Sequence, residues 1–148
     1  MEERRLVWRV ARHWTEIVQG GRLPRRDEID SCVLGEDWAN CLMIAVQSPI
    51  ERSQFVTVGV NLKIALCPPD TLAGVLVSRL SRVVSARRGA IIEGEATVGD
   101  AGVLYRAVLL PLSEDGLVID HVLGAANYRR LRSDEAQTTQ VTSRTQWL

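Results

Sequence analysis

The sequence predicts an α+β domain built on one antiparallel sheet. Three observations predict it. Leu110 to Ala125 reads as a β-hairpin, two apolar runs joined by Ser113-Glu114-Asp115-Gly116, where the Asp-Gly pair suits a tight turn. Two amphipathic helical patterns stand out, at 2–19 and 71–87. The expected strands cluster toward the two ends of the chain with helices between them, two strands first and three last, which favours a single antiparallel sheet.

Each element has its own sequence cause. In residues 2–19, Leu6, Val7, Val10, Trp14, Ile17 and Val18 recur at three- and four-residue spacing, with Arg5, Arg9, Arg12 and Glu16 on other faces. Gly20-Gly21 stops this helix. Its apolar stripe must bury against something, either its own domain or a partner helix, and Leu6, Val10, Trp14 and Ile17 are the candidate dimer contacts. Residues 22–30 form a charged loop around Pro24. Asp30-Ser31 caps a short helix running through Val33, Leu34 and Trp38. Cys41 to Val46 is a continuous apolar run, the pattern of a strand covered on both faces. Phe55 to Gly59 is a second strand, and periodicity leaves 60–66 open between strand and helix. Cys67-Pro68-Pro69 breaks the chain. Asp70 then caps the helix 71–87, whose stripe is Leu72, Val75, Leu76, Leu80, Val83 and Val84, and Gly89 ends it. Ile91–Val98 alternates apolar with Glu93, Glu95 and Thr97 as a half-exposed strand. Val103–Leu112 and Leu117–Ala126 are the hairpin strands. Pro111 cannot donate to a ladder, so it belongs at a strand end or an unpaired edge. Residues 132–148 are polar and read as a flexible tail, on which Trp147-Leu148 can still dock.

Composition bounds the function. The 148 residues suit one domain, read as an N-terminal helix (1–21), a sheet domain (22–131) and a tail (132–148), and 46% hydrophobic residues supply a core. Net charge is zero, so no global field favours nucleic acid or membranes. No apolar run is long enough to cross a bilayer. The opening Met-Glu-Glu-Arg-Arg begins an amphipathic helix, not a signal-peptide core, so a cytoplasmic protein is expected. Cys32, Cys41 and Cys67 are odd in number and widely spaced, which suggests neither disulfides nor a zinc site. Lys63 is the single lysine among many arginines, in keeping with a GC-rich bacterial genome.

No Walker loop, GxGxxG, GxSxG or HExxH is present, and the sequence names no cofactor. His121 sits on an expected strand beside Asp120. An inward His121 is a candidate haem or metal ligand or pH switch, and the plainer reading is a hydrogen-bonded strand histidine. Tyr105 alternates with Arg106 and is expected to face inward, where its hydroxyl needs a partner. Glu93 or Glu95 can pair with Arg106 across strands. Arg25-Arg26 and Arg129-Arg130 read as solvated loop arginines, because no aromatic interleaving or helix-turn-helix pattern accompanies them.

Three segments in order carry a resemblance: Trp14 with Gly20-Gly21, then Leu23-Pro24-Arg25-Arg26-Asp27-Glu28-Ile29-Asp30, then Leu109 to Gly124. Together they resemble a bacterial family of PAS-like domains over roughly residues 8–128. The chain departs from that family's pattern at Ser31-Cys32, where a proline is usual, and at Asn61 to Cys67, where a Gly-rich stretch is usual. The resemblance implies a five-stranded antiparallel sheet with helices packed on one face, plus the extra N-terminal helix. It implies a non-catalytic sensory or interaction module in bacterial signalling. Such a module binds a small molecule between sheet and helices, or acts through a homodimer or a signalling partner. Trp38, Met43, Tyr105 and His121 are the expected pocket-lining residues. The second reading is a small α+β enzyme or ligand-binding protein of the cone-like type, with His121 and Tyr105 as its pocket pair. The third is a dimerisation module with a filled core.

Overall fold

The computed structural model describes residues 2–18, 22–62, 72–98, 101–130 and 144–148. It is an α+β fold with three α-helices, α1 (Glu2–Ile17), α2 (Ser31–Leu34) and α3 (Leu72–Ala86). The strands are β1 (Cys41–Ala45), β2 (Gln54–Val58), β3 (Ala90–Val98), β4 (Ala101–Leu112), β5 (His121–Arg130) and β6 (Arg144–Trp147). They form one open antiparallel sheet in the order β2-β1-β5-β4-β3-β6. The two N-terminal strands therefore pair beside the last strand of the C-terminal group. The sheet has six strands where five were expected. The sixth comes from the segment read as a tail. Arg-Thr-Gln-Trp carries no apolar alternation, because an edge strand is held by backbone pairing and by Trp147 and Leu148 at its end.

The strands meet at a register that fixes two faces. Leu42, Ile44, Val122, Gly124, Leu109, Ala107, Tyr105 and Ile92 share one face. Cys41, Met43, Leu123, Ala125, Val108, Leu110, Arg106, Glu93 and Ile91 share the other. Every residue from Ala107 to Leu112 and from Val122 to Ala126 is buried. Strands this apolar on both sides require cover on both sides. Helix α3 supplies one layer, packing on β3 and β4 with Arg79 close to Tyr105. Helix α1 supplies the other. It packs on β4 and β5, and its Trp8 stands beside Ile91, Glu93 and Arg106. Leu6, Val7, Val10, Ala11 and Trp14 are all buried there, and each of the Leu and Val side chains is worth about 1.5–3 kcal/mol when fully removed from water.

The helix ends have local causes. Asp30 accepts the Cys32 amide at 2.8 Å and caps α2, which tightens into a 3-10 turn over Gly35–Asn40. Helix α3 ends earlier than Gly89: Arg87 takes the left-handed conformation (φ 56°) usually given to glycine after a helix. The expected stops at Gly20-Gly21 and the cap at Asp70 lie outside the described residues, as does most of 60–66. No helix among the described residues is long and apolar enough to cross a membrane.

The largest sequence-to-structure difference is the β4–β5 connection. It spans eight residues, Ser113 to Asp120, and β5 begins at His121 opposite Leu112. Leu117 and Val118 are exposed (76% and 65%) instead of entering the strand. Asp115 Oδ1 accepts the amides of both, at 2.8 and 2.9 Å, so those donors are spent inside the loop.

Two glycines are required by close approach. A Cβ on Gly59 would lie 2.3 Å from the Ala39 carbonyl oxygen, whereas one on Gly124 would meet the Leu42 side chain at 2.7 Å. Backbone yields less than a side chain. Gly59→Ala is expected to lose about 3 kcal/mol of stability in urea unfolding and Gly124→Ala about 1 kcal/mol; the reverse order would contradict this packing.

Candidate functional site

The segments singled out in the sequence converge on one place. Pro111 lies past the end of β3, whose pairing with β4 stops at Ala90 opposite Leu109. Its missing N–H therefore faces no ladder partner, and its carbonyl accepts the Trp14 indole N–H at 2.9 Å. The Ser113 amide donates to the Pro24 carbonyl at 2.9 Å. The Asp30 amide donates to His13 Nε2 at 3.0 Å, tying the far end of the 22–30 segment to α1. An imidazole that accepts at Nε2 carries its proton on Nδ1. His13, on α1, belongs to this tie.

The loop itself is stiffened from within. Ser113, fully buried, donates its hydroxyl to the Val118 carbonyl at 2.6 Å and contacts Asp115 Oδ1 at 3.0 Å. Arg87 donates to the carbonyls of Gly116 and Leu117, so the residue that ends α3 also clamps the loop. Asp120 Oδ2 accepts the Glu114 amide at 2.8 Å, and its other oxygen lies 2.8 Å from His121 Nδ1. The amides of Val118 and Leu117, with the Ser113 hydroxyl, hold the Asp115 carboxyl below its usual range. The Arg25 amide and the neighbouring Arg22 and Arg25 charges do the same for Glu28.

The four expected pocket residues do not form one pocket. Met43 and His121 lie on the α1 face of the sheet and Tyr105 on the α3 face, seven residues along the ladder from the Leu112–His121 pair. Trp38 is half-buried in the 3-10 turn before β1. His121 is a strand histidine held by Asp120. Tyr105 is buried, which pushes its hydroxyl above its ordinary value, while the Arg79 charge pulls the other way. The His121–Tyr105 pair is not formed. Its parity was legible: any connection with an even number of residues places odd-numbered residues of β4 opposite even-numbered ones of β5. The helix stripe is also spoken for. Leu6, Val10 and Trp14 are buried against the chain's own sheet, and Ile17 is half-buried.

Sequence reasoning missed a groove of about 230 Å³ between α1 and the β3–β6 edge. Trp8, Ile91, Glu93, Arg106, Thr145 and Gln146 line it. Glu93 and Arg106 face each other across β3 and β4 and form an ion pair, the cross-strand contact their spacing suggested. The groove offers an aromatic wall and a neutralised polar floor. Its size suits a small ligand or one partner side chain, below the range of most ligand pockets. Among the described residues no group of three His, Cys, Asp or Glu is placed to hold a metal ion.

Burial pushes the Cys41 thiol up to about 12, with the Asp37 charge adding to it. Its Sγ donates to the Asp37 carbonyl, and Asp37 is gripped in turn by Arg9 at 2.6 and 2.7 Å. Cys32 is exposed, and Cys67 lies outside the described residues.

No protein-family model, curated protein or solved structure matches this chain.

Three outcomes follow from this geometry. Trp14→Phe keeps the apolar ring but orphans a buried carbonyl, and is expected to cost about 1–3 kcal/mol in chemical denaturation; an unchanged midpoint would remove the indole tie from the account. Iodoacetamide at neutral pH is expected to label Cys32 and spare Cys41 in peptide mapping by mass spectrometry. Asp115 has a lowered folded pKa, so its contribution is complete above the ordinary value of 3.8 and is lost as pH falls through the lowered value. Asp115→Asn should therefore flatten the acid-unfolding curve below that pH, and a curve of unaltered shape would contradict the assignment.

Proposed function

We propose that this chain is a PAS-like, non-catalytic sensory or regulatory module of a bacterial cytoplasm. It acts by binding a small ligand, by interaction with a signalling protein or a second copy, or by both. One observation carries the reading. The separate segments on which the resemblance rests meet in space, Trp14 on Pro111 and Pro24 on Ser113. They also fasten a sheet in which β1 and β2 pair beside the C-terminal strands, the arrangement the resemblance predicts.

The sheet covered by α3 is the ligand seat this reading points to. There Tyr105 is buried close to the Arg79 charge, a setting that suits a polar group on an otherwise apolar ligand. The cone-like enzyme reading needs His121 and Tyr105 in one pocket, and their opposite faces deprive it of that pair.

Native mass spectrometry of freshly purified protein tests the proposal in one spectrum. Extra mass that is lost on denaturation, and lost also in Tyr105→Leu, is the expected result for a ligand-binding module; a bare dimer is the result for an interaction module. A bare monomer that stays bare with bacterial extract would overturn both arms.

A further inference from the structure

We propose that the groove beside Trp8 is a binding site for a small zwitterion of the α-amino-acid type. The groove lies on the face of the sheet opposite Tyr105 and stands on different residues from the seat under α3.

The groove is a void of about 230 Å³, and every residue that lines it is among those described. Two of its lining residues carry charge, one of each sign. Glu93 on β3 and Arg106 on β4 face each other across the ladder, and Arg106 Nη2 donates to Glu93 Oε2. Both side chains are half-buried and both border the void, so each keeps part of its surface toward a ligand.

This pair sets the charge of what fits. A lone anion would gain Arg106 and meet the Glu93 carboxylate. A lone cation would gain Glu93 and meet the Arg106 guanidinium. At such short range the repulsion cancels much of the attraction. A molecule that carries both charges a few bonds apart sets each against its opposite and leaves the site neutral. An α-amino acid has this form. Its carboxylate lies along the guanidinium, a planar fork with more donors than one carboxylate oxygen takes. Its ammonium lies against Glu93.

The walls complete the match. Trp8 is 44% exposed although Val7 and Val10 on the same helix are fully buried, so part of its indole stands open at the groove. An indole face attracts an ammonium and covers apolar surface. Ile91 adds an aliphatic patch, and Thr145 and Gln146 add uncharged hydrogen-bonding groups. No lining residue is left to balance a third charge, so a small aliphatic side chain suits the site better than a charged one.

The test is an NMR titration of the full chain with valine, leucine, glutamate and lysine. Isobutylamine and isovalerate serve as the single-charge counterparts of valine. Valine or leucine is expected to shift the Trp8 indole N–H and the Ile91 and Glu93 amides at millimolar concentration, and to bind at least tenfold tighter than either counterpart. Arg106→Gln is expected to weaken valine and strengthen isobutylamine, and Glu93→Gln to weaken valine and strengthen isovalerate, a reversal that loss of a merely structural pair would not produce. No shift from any of these amino acids overturns the proposal, as does equal binding of valine and its counterparts. Shifts centred on Tyr105 and Arg79 would also overturn it, by moving the ligand to the α3 face while the sensory reading stands. If the Glu93 and Arg106 variants do not fold, Trp8→Ala decides: a tenfold loss of valine affinity is expected, and unchanged affinity overturns the proposal.

Discussion

The contact between the Trp14 indole and the Pro111 carbonyl sets where everything else can lie. Pro111 sits at the one stretch of β4 that has outrun β3, and its carbonyl is buried with no strand to receive it. A buried acceptor left unpaired costs about 1–3 kcal/mol. The indole meets that need from a helix ninety-seven residues earlier in the chain. Once Trp14 is fixed, α1 must lie across β4 and β5, and the chain leaving α1 must pass the hairpin loop. Pro24 then reaches the Ser113 amide, and Asp30 reaches back to His13. One side of the molecule is thereby laced by bonds between segments that are distant in sequence.

The same constraint divides the molecule functionally. With α1 spent on one face of the sheet, the α3 face holds the buried Tyr105 and the α1 face holds the Glu93–Arg106 pair and its groove. Both faces rest on the same two strands, β3 and β4, which are packed on both sides, and such layers have little room to adjust independently.

Much of this fold was legible in the sequence. The three- and four-residue spacing of α1 and α3, the Asp30 cap and the Glu93–Arg106 pairing all follow from local periodicity. What local pattern could not supply is the identity of the neighbour. The Leu6–Val10–Trp14 stripe announces burial but does not say whether the covering surface is in the same chain. The loop from Ser113 to Asp120 looked like a four-residue turn because its extension depends on Arg87, which reaches it from the end of α3. Strand β6 has no apolar alternation, since the edge holds it by backbone groups. The groove is built by Trp8, Arg106 and Gln146 from three remote segments, and no spacing rule joins them.

The measurement that bears most directly on the central contact is native-state hydrogen exchange at the Ser113 amide, the donor to Pro24. If the tie between α1, residues 22–30 and the β4–β5 loop governs the fold, this loop amide exchanges only through global unfolding. Its opening free energy then equals that of the slowest amides in β4 and β5. If Ser113 exchanges by a local opening, with an opening free energy far below that of the strand amides, the loop frays while the sheet stands. The tie would then be an ornament of the fold and not its fastening.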